Sequence, residues 1–391
     1  MKAWRARTLV GGALAGLALA CFAIDPAYDW KLPEWVPRPL VPADNPMSAV
    51  KVELGRFLFY DKRLSINGST RCATCHSQAR AFTDGERVAI GATREKHPRN
   101  SMGLTNIAYS PVLTWANPLQ RALETQALVP MFGEHPVEMG LAGKEQELTR
   151  LLRRDRRYER LFTTAFAADA DPYTLANLTR ALAAFQRTLL AFDSPYDRYR
   201  YGGDRRAISV SAKRGEALFF SERLECFHCH GGINFTDSVM HERLAAPEIA
   251  FHNNGLYNLR GTGAYPADNT GLNEHSGKPA DMGRFRTPGL RNVAVTAPYM
   301  HDGSIATLSE VIDHYKAGGR TIHGGAHAGR GADNPHKSGF VKGFTLNPGE
   351  KRDLIAFLGS LTDRGFLQNP AFSDPFARAG AAATTFKDSH K

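Results

Sequence analysis

The chain of 391 residues is long enough for two or three domains, and its composition, 42% hydrophobic and 23% charged, is that of an ordinary globular protein. Its formal net charge is +10 at pH 7. The sequence contains no dense run of lysine and arginine with interleaved aromatic residues, which argues against nucleic acid as a partner.

The first 24 residues have the pattern of a secretory signal peptide. A charged start, MKAWRAR, precedes the apolar run TLVGGALAGLALACFA, which is too short to span a bilayer comfortably. The alternatives are lipid modification of Cys21 and an uncleaved anchor. Removal of residues 1–24 would leave a charge of about +7, a mild basic bias that suits an acidic protein partner. We therefore predict export to the periplasm, with no membrane span in the mature chain.

A proline-rich stretch and a repeat follow the signal peptide. The stretch is predicted to form an extended arm. GRFLFYDKRL (55–64) and GEALFFSERL (215–224) share the pattern G-x-x-L-F-x-x-x-R-L, in which Leu and Phe lie at helical spacing from Gly. One domain type is thus predicted to occur twice, each copy opening with a helix. The predicted segments are an arm at 25–45, domains at 46–205 and 206–365, and a C-terminal tail at 366–391.

The pentapeptide Cys-x-x-Cys-His follows each copy of the repeat, in RCATCHS and ECFHCHG. It is the attachment signature of c-type haem: the cysteines form thioethers, and the histidine binds the iron. A redox-active cysteine pair does not need the histidine, and a zinc site would require the two pairs to converge. Two covalent haems are therefore predicted. Their ligands are Cys72, Cys75 and His76 for the first haem and Cys226, Cys229 and His230 for the second.

Two stretches between the copies have helical periodicity and are interpreted as packing helices. They are EQELTRLLRRDRRYERLFTTAF (145–166) and YTLANLTRALAAFQRTLLAF (173–192), each with leucines on one face. Strand patterns are scarce, so the predicted fold class is mostly α with long loops.

The motifs RNSMGLTN, PVEMG and TAPYMHDGS, arranged around the two pentapeptides, resemble those of the bacterial dihaem cytochrome c peroxidase and MauG family. FHNNGLYNLRGTGAYP, DMGRFRTPGLRNVAVTAPYMHDGS and EVIDHYKAGGRTI are similar to its MbnH subgroup, which is associated with methanobactin gene clusters. The resemblance covers nearly all of the mature chain. It implies two cytochrome-c-like domains, each with one haem, and a calcium ion between them.

The resemblance also implies roles for individual residues. The haem held by His76 would react with peroxide, and Glu138 of PVEMG would be its acid–base group. Gln126 and Pro130 would line the same pocket, and Trp115 would carry charge between the haems. The alternatives are a core tryptophan for Trp115 and a surface charge for Glu138. The implied calcium ligands are Asn100 and the backbone carbonyls of Thr296 and Pro298.

Many of these peroxidases carry a histidine that caps the first haem until the enzyme is activated. The matching position here is Ala92, with His97 five residues later. We therefore expect an uncapped first haem, and capping by His97 is the alternative.

The second haem is expected to have Tyr315 as its far ligand, where the peroxidases have methionine and MauG has tyrosine. TLSE at 307–310 is a capping box that opens a helix, and Tyr315 shares the apolar face of that helix. His314 is turned about 100° away. A phenolate would favour higher oxidation states of iron, whereas methionine stabilises ferrous haem. The alternative ligands are His314, Met300 and Met282.

The glycine-rich loop at 317–340 contains His323, His327 and His336. A solvated loop is the favoured interpretation, and a copper or zinc site is the alternative. Its position after the helix of Tyr315 makes it a candidate surface for partner docking.

The resemblance thus implies a periplasmic MauG- or MbnH-like oxidase. Hydrogen peroxide would form a high-valent dihaem state that oxidises an aromatic residue, by analogy a tryptophan, of an MbnP-type partner protein. Leu224 occupies the position where MauG presents a surface tryptophan, so the exit route must differ. The alternatives are a dihaem cytochrome c peroxidase that takes electrons from a small cytochrome, and a non-catalytic electron-transfer cytochrome.

Overall fold

The fold is mostly helical, as predicted, and is known from a computed structural model that describes residues 28–377 and the strand Phe22–Ala23. The rest of the predicted signal peptide lies outside the described residues. The helices are α1 (Ala49–Tyr60), α2 (Cys72–Cys75), α3 (Leu123–Gln126), α4 (Leu128–Phe132), α5 (Glu145–Arg153), α6 (Arg156–Ala165), α7 (Leu175–Arg187), α8 (Pro195–Arg200), α9 (Val210–Phe219), α10 (Cys226–Cys229), α11 (Asn273–Ser276), α12 (Leu308–Lys316), α13 (Pro348–Ser360) and α14 (Arg364–Gln368). None of the helices within 28–377 has both the length and the apolar character that a membrane span requires.

The strands are short and form three antiparallel pairs among the described residues. They are β1 (Phe22–Ala23) with β2 (Val41–Pro42), β3 (Phe251–His252) with β4 (Phe285–Arg286), and β5 (Thr321–Ile322) with β6 (Gly329–Arg330). Single turns of 3₁₀ helix occur at Lys62–Leu64, Gln78–Arg80, Ile107–Tyr109, Pro279–Asp281, Val293–Val295 and Gly331–Asp333.

The repeated sequence corresponds to a repeated packing arrangement. Helix α1 packs against α7, and α9 packs against α13. A Cβ atom at Gly55 would lie 1.9 Å from the carbonyl oxygen of Ala181, and one at Gly215 would lie 2.0 Å from that of Asp353. Only glycine therefore allows either pair of helices to approach this closely. As predicted, each copy of the repeat forms a helix that leads into its pentapeptide.

The buried side chains form several clusters. The largest contains α1, α6 and α7, and another contains α9 and α13. A third cluster is built largely from loops, with Tyr257, Tyr265 and Phe285 buried and Trp115 packed against it.

The stretch 145–166 forms two helices because the chain breaks between Arg153 and Arg156. The carboxylate of Asp155 accepts the backbone N–H of Arg157 at 2.9 Å and so caps the start of α6.

The chain after α13 returns to the first pentapeptide. The ring centroids of Phe366 and Phe372 lie 5.6 and 6.5 Å from that of Phe82. The hydroxyl of Tyr60 donates to the carbonyl of Phe372 at 2.7 Å. The segment expected as a C-terminal tail thus packs on the first core over the part that the structure describes, which ends at residue 377.

Candidate functional site

Each pentapeptide forms one helical turn followed by its histidine. The Nδ1 atom of His76 lies 2.8 Å from the carbonyl oxygen of Phe82, and that of His230 lies 3.0 Å from the carbonyl oxygen of Phe235. Because a carbonyl can only accept, Nδ1 carries the proton in both rings. The Nε2 atom of each ring therefore keeps the lone pair that binds a metal.

The four cysteines of the pentapeptides form no disulfide bond. Burial raises the pKa of Cys72, Cys75 and Cys226 to about 12. Within 28–377, the groups of three potential metal ligands do not combine the two cysteine pairs. The arrangement is therefore unlike a zinc site that uses both pairs.

A cavity of about 280 Å³ lies at the second pentapeptide. Its lining includes Cys226, Cys229 and His230 together with Tyr315 and Trp115. The histidine that would hold an iron and the tyrosine predicted as its far ligand therefore border the same space.

The cavity wall also contains a buried cation, Arg286, which is 5% exposed. Its guanidinium donates to the carbonyls of Thr114 and Thr287 and contacts the sulfur of Met102, and within 28–377 it forms no ion pair. Burial lowers its pKa to about 10. A buried cation is costly unless an anion accompanies it. The propionates of a haem would supply that anion, so the donor set and the cavity fit a c-type haem.

Tyr315 lies on α12, whose capping box is formed as predicted. The hydroxyl of Thr307 accepts the N–H of Glu310, and the carboxylate of Glu310 accepts the N–H of Thr307 at 2.9 Å. Burial raises the pKa of Tyr315 to about 12. The Nε2 atom of the neighbouring His314 lies 3.0 Å from the carbonyl oxygen of Asn254, and this ring does not border the cavity.

The two methionines weighed as alternative ligands lie in different places. Met300 borders the cavity, and its sulfur accepts from the side-chain amide of Asn254 at 3.4 Å. Met282 packs in the third cluster and does not border the cavity.

Glu138 lies in a loop that is held against residues 89–97. The N–H of Ala92 donates to the carbonyl of Glu138 at 2.6 Å, and a Cβ atom at Gly91 would lie 1.9 Å from the carbonyl oxygen of Val137. Burial raises the pKa of Glu138 to about 7. Burial is also the main cause of the raised pKa of Cys75, and the negative charge of Glu138 raises that pKa further. The carboxylate of Glu138 therefore lies near the first pentapeptide.

His97 lies beside Glu138, with 3.9 Å between its Nε2 and the Oε1 of the carboxylate. Its Nδ1 lies 3.0 Å from the backbone nitrogen of Arg99 and 3.3 Å from the carbonyl oxygen of the same residue. Burial lowers the pKa of His97, which favours the neutral ring. The carbonyl of Pro130 accepts the N–H of Met139, next to Glu138. In the described part of the chain, the side chain of Gln126 forms no hydrogen bond with Glu138.

Trp115 and the residues expected to bind calcium border the same cavity. The indole N–H of Trp115 donates to the carbonyl of Asn100 at 2.9 Å. The side-chain amide of Asn100 donates to the carbonyl of Glu86 at 2.8 Å, which leaves its Oδ1 free. Within 28–377, the carbonyls of Thr296 and Pro298 accept no hydrogen bond. These oxygens are the candidate calcium ligands, and the calcium site stays a prediction.

Sequence reasoning missed Arg286 and the approach of His97 to Glu138. Arg286 stands in DMGRFRTPG, a motif used for the resemblance. The spacing of residues along the sequence does not reveal whether an arginine is buried without an ion pair. The loop histidines His323, His327 and His336 do not form a three-ligand metal group within the described residues.

Comparison with known proteins identifies the family of this chain. The family described as di-haem cytochrome c peroxidase matches residues 49–206. The chain is 38% identical to the cytochrome-c peroxidase IdrP1 of Denitromonas iodatirespirans over 90% of this chain and 92% of that protein. It is 35% identical to the methylamine utilization protein MauG of Methylophilus methylotrophus, over 88% and 91% of the two chains.

A crystal structure described as a MauG-like protein associated with microbial copper homeostasis has the same fold. Its TM-score is 0.87 at 49% sequence identity, over 90% of this chain and 100% of that chain. The chain belongs to the dihaem cytochrome c peroxidase and MauG family and is a haem-dependent oxidoreductase of the peroxidase type.

Proposed function

We propose that this enzyme is a periplasmic MauG- or MbnH-like oxidase that uses hydrogen peroxide to oxidise a tryptophan side chain of an MbnP-type partner protein. The observation that carries the proposal is that Tyr315 borders the same cavity as Cys226, Cys229 and His230. A phenolate ligand favours higher oxidation states of iron, which suits the removal of electrons from a side chain. The 49% identity to a MauG-like protein associated with copper homeostasis supports the same assignment.

In this proposal, residues 46–205 and 206–365 each hold one haem. Each cysteine pair would form the thioethers, and the Nε2 atoms of His76 and His230 would bind the irons. When bound, the haems supply the redox chemistry that takes two oxidising equivalents from each peroxide. The guanidinium of Arg286 would pair with a propionate at the second site, which would offset the cost of burying a cation that forms no ion pair within 28–377.

Glu138 holds and moves the proton at the first site. Its ionised carboxylate accepts a proton from hydrogen peroxide and returns it to the departing oxygen, so that water leaves instead of hydroxide. A pKa of about 7 allows both protonation states of Glu138 near neutral pH. The Nε2 atom of His97 lies 3.9 Å from this carboxylate, and in this proposal His97 stays beside Glu138 and does not cap the first haem.

Trp115 carries charge between the two sites in this proposal, and a bound calcium ion would help to orient it. The main chain of Asn100 holds the indole N–H, while the side chain of the same residue offers a ligand oxygen. An ion bound by Asn100, Thr296 and Pro298 would therefore stiffen the hydrogen bond that positions the indole.

A second candidate is a cytochrome c peroxidase that reduces peroxide with electrons from a small cytochrome. Met300 borders the same cavity as Tyr315 and carries the thioether that such enzymes use as a ligand. The 38% identity to cytochrome-c peroxidase IdrP1 fits this candidate too.

Low-temperature EPR of the ferric holoprotein separates the two candidates. We expect one high-spin and one low-spin haem, with a low-spin signal that changes in Tyr315→Met and stays unchanged in the matched variant Met300→Leu. The reverse pattern, together with rapid oxidation of a reduced small cytochrome by peroxide, would replace the proposal by the second candidate.

A further inference from the structure

A second pocket, separate from the large cavity, opens on the surface beside Tyr257. Its lining includes Arg87, Tyr257, Ser304, Arg320 and His327, and none of these residues borders the cavity. Arg87 and His327 are exposed, whereas Tyr257 is only 3% exposed. Tyr257 therefore forms the inner wall of a surface pocket.

The hydroxyl of Tyr257 has a fixed proton acceptor. It donates to the Oδ2 atom of Asp302 at 2.5 Å, while the Oδ1 atom accepts the N–H of Ser304 at 3.1 Å. Burial by itself would raise the pKa of Asp302, but its charged and hydrogen-bonding neighbours lower that pKa overall. The carboxylate is thus ionised and able to take the phenolic proton when the ring loses an electron.

A series of aromatic rings connects Tyr257 to the cavity. Phe285 and His301 border the cavity together with Trp115, and their rings stack at 3.6 Å with an interplanar angle of 10°. The ring of Tyr257 lies 6.5 Å from that of His301 and 5.4 Å from that of Tyr265. Tyr257 is therefore the ring in this series that borders both the aromatic cluster at the cavity and the surface pocket.

The outer side of Tyr257 is cationic. The guanidinium carbon of Arg320 lies 4.7 Å from the ring centroid, and the ring of His327 meets that of Tyr257 edge-on at 5.5 Å. The lining of the pocket contains arginines and no carboxylate side chain. A cation over the ring opposes the loss of an electron from it, so an oxidised Tyr257 is a strong oxidant that passes its oxidation onward.

We propose that oxidising equivalents leave the enzyme through Tyr257, toward a partner protein that presents an aromatic side chain from an acidic face at the surface pocket. This inference rests on the proposed function and adds the exit route and the chemistry of the partner surface. It also gives a role to the glycine-rich loop, since His327 belongs to it.

The electrons and protons balance as follows. Tyr257 loses one electron to the peroxide-oxidised centre and its hydroxyl proton to the Oδ2 atom of Asp302. The partner's aromatic side chain then gives one electron to Tyr257, and the proton returns from Asp302. Two such steps, with two protons from solvent, reduce one hydrogen peroxide to two waters, and the partner side chain releases its own protons to solvent.

The test uses the holoenzyme with one equivalent of hydrogen peroxide, a nitroso spin trap and no partner. We expect peptide mass spectrometry to find the trap adduct on Tyr257, and EPR to show a tyrosyl signal that is lost in Tyr257→Phe. The oxidised state of the enzyme should decay at least about fivefold more slowly in Tyr257→Phe and in Asp302→Asn, since each removes the coupled proton transfer. The matched control is Tyr265→Phe, because the hydroxyl of Tyr265 donates to an amide, that of Asn253, and has no carboxylate acceptor.

The partner surface is tested with synthetic peptides as probes. One peptide has a tryptophan between glutamates, and the other has the same tryptophan between lysines. Arg87→Glu should slow oxidation of the acidic peptide several-fold at low ionic strength. The same substitution should not slow oxidation of the lysine peptide. Equal rates for the two peptides with the wild-type enzyme would overturn the docking part of the proposal.

The outcomes also separate this inference from the proposed function. If wild-type enzyme forms an oxidised state with peroxide but the adduct lies elsewhere, or Tyr257→Phe decays at the wild-type rate, the exit route is wrong and the proposed function stands. If peroxide produces no oxidised state in the wild-type enzyme, the proposed function fails, and the exit route fails with it. A variant counts as folded if its ferric spectrum is identical to that of the wild type. If Tyr257→Phe does not fold, the decay rate of the oxidised state in Asp302→Asn tests the exit route.

Discussion

Glu138 and His97 approach to 3.9 Å, and burial raises the pKa of the carboxyl from 4.5 to about 7. Because the folded chain holds this proton more tightly than the unfolded chain does, the protonated form contributes to stability. That contribution is fully present below about pH 4.5 and is lost as the pH rises through about 7. Reaction with peroxide has the opposite dependence, since it needs the ionised form.

We expect Glu138→Gln to slow the reaction with peroxide by about 10²- to 10⁴-fold, because it removes the group that accepts and returns the proton. In the wild type, the rate measured by stopped-flow absorbance should rise with pH through about 7 and then level off. In the variant it should be independent of pH over this range. The control is Glu134→Gln, an exposed position in the same loop, which should keep the wild-type profile. A wild-type rate in Glu138→Gln would exclude this carboxylate as the acid–base group.

Helical periodicity predicts that Tyr315 shares one face of α12 with Val311 and Ile312, and these residues all border the cavity. It does not predict that His314, on another face, is buried as well. It was not sufficient to find Arg286, whose significance lies in its being buried without an ion pair within 28–377. That property depends on side chains brought together from distant parts of the chain, and local spacing contains no information on it.

The crossing of α9 with α13, and of α1 with α7, depends on one glycine in each pair. We expect Gly215→Ala and Gly55→Ala to lower the free energy of unfolding by about 1–3 kcal/mol, because the new Cβ atom would overlap a backbone carbonyl and force the helices apart. Urea denaturation of the holoprotein followed by circular dichroism measures this change.

The matched control is Gly359→Ala in α13, where an added Cβ atom meets nothing within 4 Å. There the same substitution should stabilise the protein by about 0.5–1 kcal/mol through helix propensity. If Gly215→Ala behaves like Gly359→Ala, the close crossing is not a requirement of the fold.

The elements themselves were largely predictable, because the repeat, the capping box of α12 and the periodicity of α7 are local signals. The break between α5 and α6 was not predicted, although Asp155 is a good helix N-cap. The apolar spacing on its two sides continues almost in phase, and this obscures a boundary made by a single capping residue.

Across the whole molecule, the chain end packs against the first pentapeptide. Phe372 is 7% exposed and packs with Phe82, whose carbonyl fixes the ring of His76. We expect Phe372→Ala to lower the free energy of unfolding by about 3–5 kcal/mol, since it leaves a cavity in this cluster. The haem at His76 should lose its histidine ligand at a lower denaturant concentration than the haem at His230, as followed by absorbance.

The comparison variant is Leu119→Ala, because the side chain of Leu119 is 79% exposed. This substitution should change the free energy of unfolding by no more than about 0.5 kcal/mol. Equal sensitivity of the two haems in Phe372→Ala would contradict a local role for the chain end. This long-range contact was not predictable from the sequence, in which 366–391 has no distinctive local pattern.

The segment after α13 links the second half of the chain to the first pentapeptide. The rings of Phe366 and Phe372 lie on one part of Phe82, and Phe59 of α1 contacts another part. Because the carbonyl of Phe82 holds the ring of His76, a change that loosens residues 366–372 would also loosen a proximal histidine that is distant in sequence.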